Sequence, residues 1–216
     1  MRTANWTTTC LAPGAMIAMA LLISACGDDG PTSPGPMPVP EAQLTFLRQA
    51  PTAPPLLTTD TTVIATKGQD LEVRLFYAPA PGSGSQTGEE FLRLKIEEET
   101  LLRYPANHPR QGAVFQDGDT VSIRIQVAPE DIIATLEPSG LLFNTNEPAK
   151  LKLRYAEADD DIDEDGSPDP ELEVEIDMWR QENPGDPWFR IGNVKSEDLD
   201  EVEAELFGFS RYALAI

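Results

Sequence analysis

Five stretches of the chain alternate apolar and polar residues with a period of two. Leu71, Val73, Leu75 and Tyr77 alternate with Glu72, Arg74 and Phe76, and Leu92, Leu94 and Ile96 with Arg93, Lys95 and Glu97. Val121, Ile123, Ile125 and Val127 alternate with Ser122, Arg124 and Gln126. Leu151, Leu153 and Tyr155 alternate with Lys152 and Arg154, and Leu172, Val174, Ile176 and Met178 with Glu173, Glu175 and Asp177. One buried and one wet face per strand predicts antiparallel sheets packed as a single all-β sandwich. Asp117-Gly118-Asp119, Pro138-Ser139-Gly140 and Asn183-Pro184-Gly185-Asp186 carry the residues that tight reversals need. Residues 195 to 205 have a helical composition, but Val202, Ala204 and Leu206 again alternate with Glu201, Glu203 and Glu205. No segment holds a helical period for three turns, and there is no internal repeat.

The first forty residues follow another pattern. Arg2 precedes an apolar run from Met16 to Ile23, too short to span a bilayer comfortably, which ends in Leu22-Ile23-Ser24-Ala25-Cys26. This layout resembles a bacterial lipoprotein signal, in which residues 1–25 are removed and Cys26 carries covalent lipid such as palmitate. Several acyl chains on one cysteine anchor almost permanently, since each buried methylene contributes about 0.8 kcal/mol. From Cys26 to Pro40 the chain is Gly, Asp, Pro, Ser and Thr with little apolar content, which predicts a disordered tether. The sandwich is expected from residue 41 to 216. Localisation follows as the cell envelope, facing the periplasm or exterior. Gly27, where an aspartate would retain an enteric lipoprotein at the inner membrane, favours an outer membrane in a diderm.

Charge and cysteine count narrow the picture further. The chain has 37 acids against 16 bases, a net charge of −21. That argues against nucleic acid as a partner and against docking of the domain onto anionic lipid, leaving membrane contact to the anchor. Excess acid outside the cell means solubility or divalent-cation binding. The only cysteines are Cys10 and Cys26. A mature chain would therefore have no disulfide and would depend on its core for stability.

Four blocks in order carry a family likeness: Glu137-Pro138-Ser139-Gly140-Leu141-Leu142-Phe143, then Glu147 through Tyr155, then Pro187-Trp188-Phe189-Arg190-Ile191-Gly192, then Gly208-Phe209-Ser210-Arg211-Tyr212-Ala213-Leu214. Together residues 118–216 resemble the ZU-five domain of zonula occludens proteins, netrin receptors and ankyrins. The resemblance implies a β-sandwich scaffold for protein contacts and no catalysis. Some eukaryotic members resemble self-cleaving proteins that split the Phe-Ser bond with a preceding histidine as base. Here that position is Gly208, so cleavage between Phe209 and Ser210 is not expected.

The sharpest chemical feature is the run from Asp159 to Asp169, which contains D-x-D-x-D-G-x-x-D at Asp161, Asp163, Asp165, Gly166 and Asp169. Carboxylates at alternate positions of a curling loop can converge on one calcium ion, with the glycine supplying the bend. The first nine positions match an EF-hand or thrombospondin-type loop. The twelfth is Leu172 rather than a bidentate glutamate, although Glu171 and Glu173 flank it, and Pro168 lacks an N–H. Residues 157–177 hold twelve acids and no base. The alternatives are a calcium site of millimolar affinity and a solvated acidic loop.

Other signals are weaker. His108 is the only histidine and sits in a turn, which excludes a serine triad and a histidine-rich zinc site. The glycine-rich run 82–88 lacks the Lys-Ser/Thr and helix of a phosphate cradle. Trp179 and Trp188 flank a short turn and form a candidate sugar-stacking platform, or close one edge of the core. The expected role is a non-enzymatic, membrane-anchored binding or structural module whose partner is another surface protein or a cell-wall glycan. The alternatives are a tryptophan-based glycan binder and a small extracytoplasmic hydrolase.

Overall fold

The computed structural model describes residues 37–216 apart from 129, 197 and 198. The apolar run Met16–Ile23 and Cys26 therefore lie outside the described residues, as does most of the expected tether. The fold is an all-β sandwich of antiparallel sheets. One sheet contains β1 (Asp60–Thr66), β5 (Thr120–Ala128), β6 (Ile133–Glu137), β13 (Arg211–Ala215), β9 (Asp177–Gln181) and β10 (Trp188–Arg190), in that spatial order. The facing sheet has the order β11 (Asn193–Ser196), β12 (Glu201–Leu206), β8 (Ala149–Arg154), β3 (Glu90–Ile96) and β2 (Leu71–Phe76). A short pair, β4 (Leu101–Arg103) with β7 (Leu142–Phe143), closes one end.

The period-two pattern becomes the core. Ile123 and Ile125 of β5, Leu92 and Leu94 of β3, and Leu151 and Leu153 of β8 are all fully buried in one cluster. Burying each such side chain contributes about 1.5–3 kcal/mol. In β3 the alternation breaks where Phe91 and Leu92 are both buried. Leu75 pairs with Leu92 but Phe76 pairs with Glu90, so Phe91 is the extra residue of a β-bulge. Its ring meets Tyr77 edge to face at 5.6 Å.

Two sequence expectations need correction. The stretch from Leu172 to Met178 is not one strand. Glu173–Glu175 form a 3₁₀ turn, β9 starts only at Asp177, and Val174 is 65 % exposed. Only Ile176 and Met178 reach the core. The turn's hydrogen bonds, from Glu175 N to Leu172 O and from Ile176 N to Glu173 O, are local bonds that replace a strand's ladder.

The second concerns the two tryptophans and the tether's end. Val39 and Trp188 exchange two backbone hydrogen bonds of 2.8 Å, so docking begins before Pro40. The chain then turns through Glu41–Gln43, and Thr45 and Ile216 bond each other's backbone. Beneath this strap Trp188 is completely buried with Ile133 and Ala213, beside Leu44, Phe46 and Trp179. Its indole N–H donates to Glu41 at 3.3 Å, and Trp179 donates to the Ala215 carbonyl at 3.1 Å. A buried Trp188 offers no face to a sugar, so of the two readings the platform fails and the rings close an edge of the core.

Residues Gly35–Ile216 form one compact unit, which holds the whole described core and should fold by itself. Trp188→Ala in residues 35–216 is expected to cost about 3–5 kcal/mol in urea unfolding. Val174→Ala, although it belongs to an apolar alternation, should cost less than about 0.5 kcal/mol.

Candidate metal centre

The acidic loop leaves β8 at Arg154 and returns to the sheet at β9. Its path is set by aspartates bonding their own backbone. Asp159 accepts from Asp161 N at 3.3 Å, Asp163 from Asp165 N at 3.0 Å and Asp165 from Ser167 N at 2.9 Å. Each is a two-residue turn of the kind Asp favours. Glu164 and Gly166 adopt positive φ, +63° and +92°, and tighten the curl. The Asp169 N–H closes the loop onto the Asp160 carbonyl at 2.7 Å.

This winding brings three of the four sequence-predicted ligands together. Carboxylate oxygens of Asp161, Asp163 and Asp169 lie within 4.8 Å of one another. Oxygens around a calcium ion at about 2.3–2.6 Å can stand up to about 5 Å apart, whereas magnesium at about 2.0–2.1 Å demands a tighter set. Asp161 uses one oxygen to accept from Gly166 N at 3.0 Å, and its other oxygen, Oδ1, is buried without a hydrogen-bond partner. Asp169 is 7 % exposed and accepts from Asp163 N at 3.1 Å. Asp165 stays outside the group, its carboxylate turned to Ser167. Glu173 does not supply the missing bidentate ligand, since it accepts from the Tyr155 hydroxyl at 3.0 Å.

The run of acids is not wholly uncompensated. Arg48, far away in sequence, pairs with Glu164 and lies 3.8 Å from Asp131, while its carbonyl receives Asp159 N at 2.8 Å. Desolvation by the loop raises the pKa of the otherwise exposed Asp163, and the carboxylates of Asp165, Asp169 and Asp161 add to it against the Asp165 N–H.

Elsewhere, His108 stacks on Tyr104 at 4.3 Å, and Tyr104 on Phe115 at 3.8 Å. Arg110 lies over the Tyr104 ring and grips Asp119 with two bonds of 2.8 and 2.9 Å. That grip, with the Gln116 N–H, pulls the Asp119 carboxyl down to about 2. The cluster clasps a loop, a role invisible to a search for catalytic histidines. At the Phe209-Ser210 bond, the Ser210 hydroxyl accepts from Arg180 Nε at 2.8 Å, a partner that cannot take its proton. A Cβ at Gly208 would lie 2.9 Å from the Leu141 carbonyl oxygen, so this backbone leaves no room for a histidine.

Comparison with protein-family models, curated proteins and solved structures finds no match to the chain.

Asp163 and Asp119 act oppositely on stability. Asp163 has a raised folded pKa, so its penalty is full above that value and vanishes below the unfolded value of about 3.9. Asp119 has a lowered one, so its contribution is full above about 3.9 and is lost as pH falls through about 2. In EDTA, Asp163→Asn should therefore raise the melting temperature at neutral pH and leave it unchanged near pH 3. Arg110→Gln should lower it at neutral pH. Melts across that range check both signs.

Proposed function

We propose that this chain is a lipid-anchored, extracytoplasmic β-sandwich presenting a binding or structural surface, stiffened by calcium and without catalysis of its own. The observation that carries the calcium reading is the convergence of Asp161, Asp163 and Asp169, one of which, Asp161, also has a buried carboxylate oxygen with no hydrogen-bond partner. A divalent cation would supply its missing partner and offset both the desolvation and the neighbouring carboxylates that raise the pKa of Asp163. The loop joins a central strand of one sheet to an inner strand of the other, so ordering it would brace the sandwich. The lipid anchor rests on the Leu22–Cys26 sequence, and the scaffold role on the ZU-five-like blocks of residues 118–216.

With a dissociation constant of about 1 mM, calcium at about 5 mM adds about 1 kcal/mol to stability. Residues 35–216 should then melt about 2–4 °C higher in calcium than in EDTA. Asp161→Asn with Asp169→Asn keeps the loop's hydrogen-bond acceptors and should abolish that shift. An identical shift in the double variant would remove these carboxylates as the site. For the anchor, full-length chain expressed in a bacterium with an alkyne fatty acid should take up label, and Cys26→Ser should not.

A further inference from the structure

The outer face of the five-stranded sheet gathers Arg74, Arg93, Lys95, Lys150, Lys152 and Arg154, six of the chain's 16 bases. Register sets like charges directly opposite. Arg74 faces Arg93, Arg93 faces Lys152, and Lys95 faces Lys150. Opposed like charges destabilise a sheet, and a chain with 37 acids has ample means to avoid them. Glutamates stand on both sides instead. Glu72 lies opposite Lys95, while Glu203 and Glu205 lie opposite Lys152 and Lys150.

Five of the six cations are paired with glutamates: Arg74 pairs with Glu72 and lies 3.4 Å from Glu90, and Arg154 reaches Glu89 at 2.9 Å. Lys152 reaches Glu201 at 2.7 Å, Arg93 reaches Glu90 at 2.9 Å, and Lys95 reaches Glu97 at 2.5 Å. The exposed Lys95–Glu97 pair is worth less than about 1 kcal/mol, Lys152–Glu201 is largely sheltered, and neither removes the opposition between β3 and β8. Lys150 is half-buried and lies within electrostatic reach of Glu97 without a close ion pair among the described residues. Between the two strands lies a depression of about 210 Å³, bounded by Glu72, Arg93, Lys95, Lys150, Lys152 and Glu203.

We propose that this strip binds an anionic polysaccharide, a single extended chain carrying carboxylate, sulfate or phosphate on successive sugars. The cations repeat every second residue, about 7 Å along the strands, and the rows lie about 4.8 Å apart. A linear polymer with regularly spaced anions matches that lattice. The glutamate borders confine the positive strip to about two strands, too narrow for a bilayer surface. No aromatic side chain lines the depression, so nucleic-acid bases have nothing to stack on. The proposal goes beyond the calcium reading and does not depend on it.

The test is retention of residues 35–216 on immobilised polygalacturonate and dextran sulfate, with neutral dextran as reference. EDTA is present throughout, so that no divalent cation bridges the acidic loop to the polymer. The protein should be retained near 20 mM salt, on the order of the lowest used in such work, and released as salt rises. Lys95→Gln with Lys150→Gln should weaken binding about tenfold or more while the melting temperature holds or rises, because opposed charges are removed. Arg124→Gln, on the other sheet, should bind like wild type. No retention at low salt overturns the proposal, as does equal retention on neutral dextran. So does a double variant that melts lower yet still binds, which would make the cations structural. Tighter binding to a single-stranded oligonucleotide or to anionic vesicles would also overturn it.

Discussion

The six-stranded sheet depends on one strand. β13, the last in the chain, lies between β6 and β9 and pairs with both: Tyr212 stands opposite Ala134 on one side and Arg180 on the other. Among the described residues it is the link between the β1–β5–β6 half and the β9–β10 half. The Tyr212 hydroxyl donates to the Gly208 carbonyl at 2.5 Å, which ties the strand to the bend that precedes it. The strap adds a second layer of dependence, since Leu47 N bonds the Leu214 carbonyl and Thr45 pairs with Ile216. Both ends of the domain therefore close on the same place. With contacts this distant in sequence, the sheet cannot be completed until the whole chain is available, and loop-closure entropy opposes it until then.

How much of this was legible depended on whether a segment's environment was local. β2, β3, β5, β8 and β12 each carry a period-two code because one face meets the core and the other meets water. The stretch 172–178 carries the same code, yet its first half is a 3₁₀ turn. Alternation reports what burial would favour, not whether a partner strand is there to pair. Nothing sits beside Val174 to bury it. Trp188 shows the converse: its burial depends on Val39 and Glu41, roughly 150 residues earlier, and no local pattern announces that cover.

The acidic loop was readable as a chemical motif but not in its detail. Aspartates at alternate positions predicted convergence, and three converge. Which carboxylate joins the group was not predictable, because Asp165 and Asp161 each accept one backbone N–H and yet only Asp161 lies in the cluster. Arg48 was likewise hidden, since its pairing with Glu164 exists only once the strap has docked. The basic strip was hidden in the same manner. Arg93, Lys95, Lys150 and Lys152 look in sequence like the wet faces of two ordinary strands. Only the register between β3 and β8 reveals cation opposite cation.

These two charged features are joined by a single strand. β8 carries Lys150, Lys152 and Arg154 along its outer face and runs directly into the loop that holds Asp161, Asp163 and Asp169. The chain's surplus of acid works against any polyanion approaching the strip, over a range set by the Debye length of about 8 Å at physiological salt. A divalent cation held by the loop would cancel part of that field at the strip's Arg154 end, and it would fix the backbone from which β8 emerges. Polymer binding would then strengthen with calcium, and by linkage calcium binding would strengthen with polymer. The coupling needs no conformational switch. It would follow from the proposed anion site lying on a strand whose continuation is the loop of the proposed cation site, in a strongly acidic protein.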